Sequence, residues 1–242
     1  MGEAFAWGLV GQSTLLIGAL IALWRPLSRR TLGLVMAFGS GVLLSAVSFE
    51  LIERAIDTNQ GLRGTTLGFF SGAIVFSVAN RLLTRPSKQP TERDITTSTS
   101  GLTIVLGALL DGIPESAVLG LTLLQDGRIS AAMLVAVVIS NLPEGIAATV
   151  GLRSSGWPTV KVILLWTGVI AVCALSAAVG YVALDGASPY TLAFVLAFAA
   201  GAILSMLSTS MMPEAYGHAG QAVGTVTVFG FAVALTVNWL QG

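Results

Sequence analysis

Acidic side chains stand in this sequence where hydrocarbon would be expected. Asp111-Gly-Ile-Pro114-Glu115-Ser116 and Ser140-Asn141-Leu-Pro143-Glu144-Gly145 each set proline and then glutamate inside an apolar stretch, 29 residues apart. On insertion scales an ionisable side chain at the centre of a membrane helix costs about 2.5–3.5 kcal/mol, so such residues mark functional sites by default. Asp111 and Glu115 are four apart, and Asn141 and Glu144 three apart, so each pair shares a helix face. Proline lacks an N–H, so the carbonyls of Leu110 and Ile139 lose their helical donor. A freed carbonyl at membrane depth needs a side chain, water or a cation. Where the two faces meet, three carboxylates, one amide oxygen and the freed carbonyls would converge, with no lysine or arginine well inside any span to neutralise them. A divalent cation would supply the missing charge. Oxygen donors suit harder ions, although zinc also accepts Asp and Glu oxygens.

The elements that must carry these groups follow from composition. Apolar residues make up 54% of the chain and charged residues 10%, with a mean hydropathy of +0.85. Soluble domains average about 25% charged, so the lipid bilayer is the expected solvent. The net charge of zero argues against a nucleic-acid partner. One cysteine, Cys173, excludes an intramolecular disulfide and a thiolate cluster, and one histidine, His218, excludes an imidazole-rich site. Glu3 precedes the first apolar run and Arg25, Arg29 and Arg30 follow it, the reverse of a cleavable signal peptide, so that run is expected to stay as a transmembrane helix.

Eight stretches approach the roughly 20 apolar residues that span a bilayer: 5–24, 31–53, 65–83, 101–124, 129–152, 159–183, 190–213 and 221–240. The expectation is an all-α polytopic membrane protein, a single domain over 1–242, with a polar loop at 85–100 holding Pro86, Pro90 and a Thr/Ser cluster. With the N-terminus outside, the inner loops collect nine Lys and Arg and the outer loops three. The positive-inside rule then puts both termini outside the cell membrane and the 85–100 loop in the cytoplasm. Trp7, Trp24, Trp157 and Trp239 fall near the predicted interfaces, as anchors.

Ala37-Phe-Gly-Ser-Gly41-Val-Leu-Leu44-Ser45-Ala-Val-Ser48 matches Ala197-Phe-Ala-Ala-Gly201-Ala-Ile-Leu204-Ser205-Met-Leu-Ser208 at a constant offset of 160. The second and seventh spans run in opposite directions, so this is an inverted repeat of the kind secondary transporters use, with discontinuous helices meeting near the midplane. Glu50, near the outer end of the second span, fits ion capture or a solvated helix end. Glu214 and His218, four apart at the inner end of the seventh, fit hand-over of a released ion, unless the chain has left the helix at Met212-Pro213. Gly68 and Gly72 have the small-xxx-small spacing of close helix contact, within the chain ahead of a homodimer.

The two Pro-Glu segments resemble the helix 4 and helix 5 signatures of the ZIP (Zrt-, Irt-like protein) family of divalent metal transporters. There a His-Asn-x-Pro-Glu-Gly type motif and a related Pro-Glu motif build a metal site in the pore. The resemblance implies eight helices in a 3+2+3 bundle and movement of zinc, iron or manganese into the cytosol. On this chain it places Glu115 and Glu144 at the family's central glutamates and Asp111 where helix 4 usually has histidine. Gly112 stands in place of the usual asparagine. Ser140 occupies a position often held by a polar or histidine ligand, and Asn141 one often held by a carboxamide or carboxylate. No acid lies inside the sixth span and the inner loop has no histidine run, so a single oxygen-rich site of Asp111, Glu115, Asn141 and Glu144 is expected rather than a binuclear one.

The expected activity is therefore a permease, with metal as cargo and no cofactor. No G-x-x-x-x-G-K-[ST] phosphate loop is present, so gradients would drive it. A proton-linked carrier of organic cations and a non-transporting membrane metal sensor or subunit would use the same acids. An intramembrane hydrolase would need a second catalytic aspartate or a Ser-His pair at depth. With Asp111 alone and His218 peripheral, no enzymatic role is expected.

Overall fold

Among the described residues eight helices are long and apolar enough to cross a membrane, as expected from the sequence. The computed structural model describes residues 1–25, 27–59, 62–83 and 99–241. The helices are α1 (Gly2–Trp24), α2 (Arg29–Thr58), α3 (Leu62–Leu83), α4 (Thr99–Asp126), α5 (Ala131–Ser154), α6 (Thr159–Ala183), α7 (Pro189–Ala219) and α8 (Ala222–Gln241). Residues 85–98 of the expected loop lie outside the described residues. Serine hydroxyls start three helices: Ser28, Ser130 and Ser188 accept from the backbone N–H groups of Thr31, Met133 and Thr191. Each satisfies a donor that a helix N-terminus otherwise leaves unpaired. Gly127 and Gly220, with φ of 65° and 62°, follow α4 and α7 in the left-handed region that a side chain would strain.

Two expectations about the backbone need correction. The helices α4 and α5 are not interrupted at Pro114 and Pro143; helical backbone runs through both. The irregular backbone lies instead in α2 and α7, as π-helical stretches at Val47–Glu53 and Leu207–Met211. Nor does the chain leave the helix at Pro213, since α7 continues to Ala219. Pro213 falls in the first turn after the π stretch. The register change there removes the need for a proline N–H.

The 160-residue offset found in sequence recurs in three dimensions. The π stretches begin at Val47 and Leu207, the serine caps at Ser28 and Ser188 correspond, and so do the hydroxyl bonds from Ser48 to Leu44 O and from Ser208 to Leu204 O. Helix packing repeats as well. A Cβ built on Gly41 of α2 would come within 1.9 Å of Thr227 O on α8, and one on Gly201 of α7 within 1.9 Å of Phe69 O on α3. Gly230 meets Phe38 O as Gly72 meets Phe198 O. The α2–α8 pair is thus the counterpart of α7–α3. Gly33, near the start of α2, lies against Ala215 and Ala219 near the end of α7, so the two repeated helices are antiparallel and the repeat is inverted. The triplets α1–α3 and α6–α8 are related in this way, but they interleave rather than pack as units. Helices α1, α4, α5 and α6 form one bundle and α2, α3, α7 and α8 another, joined mainly where α2 crosses α5 and α4 meets α7.

Candidate functional site

The site sits where these bundles meet, on α4 and α5. On α5 the segment around Pro143 is held by α1: a Cβ on Gly145 would lie 2.3 Å from Leu15 O, and one on Gly18 2.4 Å from Leu142 O. Only glycine permits backbones this close, and the approach fixes α5 against α1 at the depth of its acid.

Asp111, Glu144 and Glu214 line one cavity of about 300 Å³, with Met36, Met206 and Ser210 among its other walls. The structure thus joins α4, α5 and the far end of α7 at a single aqueous-sized space. Neither salt bridge among the described residues involves these three acids. Glu115 stands near Asp111 and Glu144 but off the cavity wall. It is 2% exposed and is not part of the cavity wall, and its Oε2 has no hydrogen-bond partner. Asn141 is 1% exposed, and its Nδ2 donates to Gly11 O at 3.3 Å and to Gln12 Oε1 at 3.1 Å. Ser140, also buried, turns its hydroxyl to its own helix at Val137 O, 3.1 Å away. Among the described residues no three His, Cys, Asp or Glu side chains converge closely enough to hold a metal ion. The expected ligands therefore form two layers, Asp111 and Glu144 at the cavity and Glu115 with Asn141 behind it.

The secondary positions separate. Glu214 joins the cavity. His218 lies one turn further on, against Gly33 of α2, with its Nδ1 buried and without a hydrogen-bond partner. Glu50 is remote from the cavity. It lines a second space of about 680 Å³ at the opposite end of the molecule with Arg54, Asp126 and Arg128. Arg54 bonds Glu50 at 3.0 Å and also Asp126, so it ties the end of α2 to the end of α4 across the two bundles.

Sequence reading missed Gln12. It is fully buried near the middle of α1, with Nε2 3.5 Å from Gly112 O and Oε1 accepting from Asn141. It also lies within hydrogen-bonding reach of the Glu115 carboxyl. A single amide in an apolar span was the only signal, and it carried no spacing that linked it to α4 or α5.

No family model matches this chain. Over 207 residues it is 24% identical to a protein of Arabidopsis thaliana named "Putative zinc transporter". The match takes in 84% of this chain but only a third, 33%, of that relative's length.

Proposed function

We propose that this protein is a divalent metal cation permease of ZIP type that moves metal of the zinc, iron or manganese class into the cytoplasm. The observation that carries the proposal is the cavity walled by Asp111, Glu144 and Glu214, none of which pairs with a cation among the described residues. Three acids around one small space repel each other unless a cation enters, and a divalent ion neutralises two of them at once. The similarity to a zinc transporter of Arabidopsis supports the same reading. By the positive-inside count, the cavity end would be the cytoplasmic one and the end tied by Arg54 the outer one, which supports reading this conformation as inward-facing. In transport, the ion would exchange water for Asp111 and Glu144, with Glu115 and Asn141 behind them, and Glu214 would receive it on the way out. Binding requires ionised carboxylates, so protons compete with the metal and acidification favours release.

The test is uptake by purified protein in proteoliposomes of Mn²⁺, Fe²⁺, Zn²⁺, Co²⁺, Cd²⁺ and Mg²⁺, beside a Glu115→Ala/Glu144→Ala variant. Uptake of at least one transition metal is expected, with loss of nearly all of it in the variant. Folded wild-type protein that takes up no metal would sink the permease reading. Direct metal binding would then separate a sensor from a carrier of organic cations.

A further inference from the structure

We infer that Gln12 of α1 is a positioning residue for the metal site, acting through Asn141; this rests on the permease reading above. A chain of amides runs across three helices. At one end Gln12 Nε2 points to Gly112 O on α4, 3.5 Å away, and at the other Asn141 Nδ2 donates to Gly11 O on α1 at 3.3 Å. Both end groups are backbone carbonyls, which only accept. That fixes the sense of the link between them: Gln12 must offer its oxygen to Asn141, which it does at 3.1 Å. The two N–H bonds of the Asn141 amide are then both used, on Gly11 O and Gln12 Oε1. The amide oxygen is what remains for a cation, and a flipped Asn141 would set its oxygen against two other oxygens. Gln12 therefore makes Asn141 an oxygen donor toward the ion rather than an N–H donor that would repel it.

Gly112 makes room for this. A Cβ on residue 112 would lie 2.7 Å from Cys173 Sγ and 3.1 Å from Gln12 Oε1, so any side chain there would push against the amide chain. A buried amide in a membrane helix is costly unless bonded, and the bonds of Gln12 go to the two helices that carry the acids. None of them serves α1 itself.

The inference is tested with Zn²⁺ uptake by wild type, Gln12→Met, Asn141→Ala and the double variant, with thermal unfolding of each recorded. Gln12→Met keeps the volume and removes both polar atoms. It is expected to raise the KM for Zn²⁺ about 10-fold, as is Asn141→Ala. The double variant should be no worse than either alone, because residues acting as one unit are non-additive. A second substitution, Gln12→Glu, keeps an oxygen toward Asn141 and is expected to retain that coupling, which gives a readout if the methionine variant is unstable. An unchanged KM in Gln12→Met, or penalties that multiply to about 100-fold in the double variant, would overturn the inference while leaving the permease standing. Wild-type protein that takes up no metal would overturn both.

Discussion

Asp111 and Glu115 show how far spacing reaches and where it stops. Four residues place both on one helix face, but they also advance about 6 Å along the axis and overshoot a full turn by about 40°. Those offsets put Asp111 at the cavity and Glu115 in the buried layer beside α1. Periodicity identified the acids but could not assign them to layers, because the boundary is set by α1 and α7, which are remote in sequence. Gln12 was illegible for the same reason: its meaning comes from contacts to residues about 100 and 130 positions away. At this scale the chemistry of Asp111 gives a prediction. Carboxylate favours harder ions than imidazole does, so Asp111→His is expected to raise uptake of Zn²⁺ relative to Mn²⁺, read from competitive uptake of the two metals. A ratio unchanged from wild type would remove Asp111 from the ion path.

Among the helices, most of the architecture was legible. Eight apolar runs and a matched segment at an offset of 160 are local features, and the structure keeps both. The placement of irregular backbone was not. Proline was the visible breaker, yet α4 and α5 remain helical through Pro114 and Pro143, while α2 and α7 change register with no proline inside the π stretches. There the serine hydroxyls of Ser48 and Ser208 bond Leu44 O and Leu204 O, carbonyls affected by the register change. The glycine contacts give the matching prediction. Gly41→Ala and Gly201→Ala would each force a methyl to within 1.9 Å of a neighbouring carbonyl oxygen. Each is expected to cost about 1–3 kcal/mol through overpacking, whereas Gly168→Ala, with nothing within 4 Å, should be neutral. Thermal unfolding in detergent checks all three, and equal losses at Gly41 and Gly201 would show that the two halves of the repeat bear load alike.

For the whole molecule, the permease reading turns on the relation between the two bundles. The cavity of Asp111, Glu144 and Glu214 lies toward one end, and toward the other Arg54 bonds Glu50 on its own helix and Asp126 on α4. The Arg54 and Asp126 side chains are 29% and 34% exposed, and pairs this exposed are worth about 1 kcal/mol or less. Such a tie favours the contact between the ends of α2 and α4 without locking it. Asp126→Asn is accordingly expected to speed thiol labelling of an Ile129→Cys reporter in the space beside the pair. The natural Cys173 is buried and the only cysteine, so replacing it with alanine clears the background. Labelling no faster than with Asp126 intact would mean that the pair does not restrain that end.

The repeat copies shape and leaves charge uncopied. Position 54 is arginine and its counterpart, position 214, is glutamate; Glu50 likewise corresponds to Ser210, and each pair borders the mouth at its own end. Fixed charge alone cannot pump, since net flow over a full cycle is set by the gradients. It does set how readily each face fills. On the permease reading, a cation arriving at the arginine mouth must displace a tethered competitor, while one at the glutamate mouth meets an acid with no ion pair among the described residues, so the concentration that half-saturates the carrier should differ between its faces. On that reading, a scaffold with near two-fold form would thereby be kinetically one-sided, with the ease of filling each face set by side chains rather than by the fold.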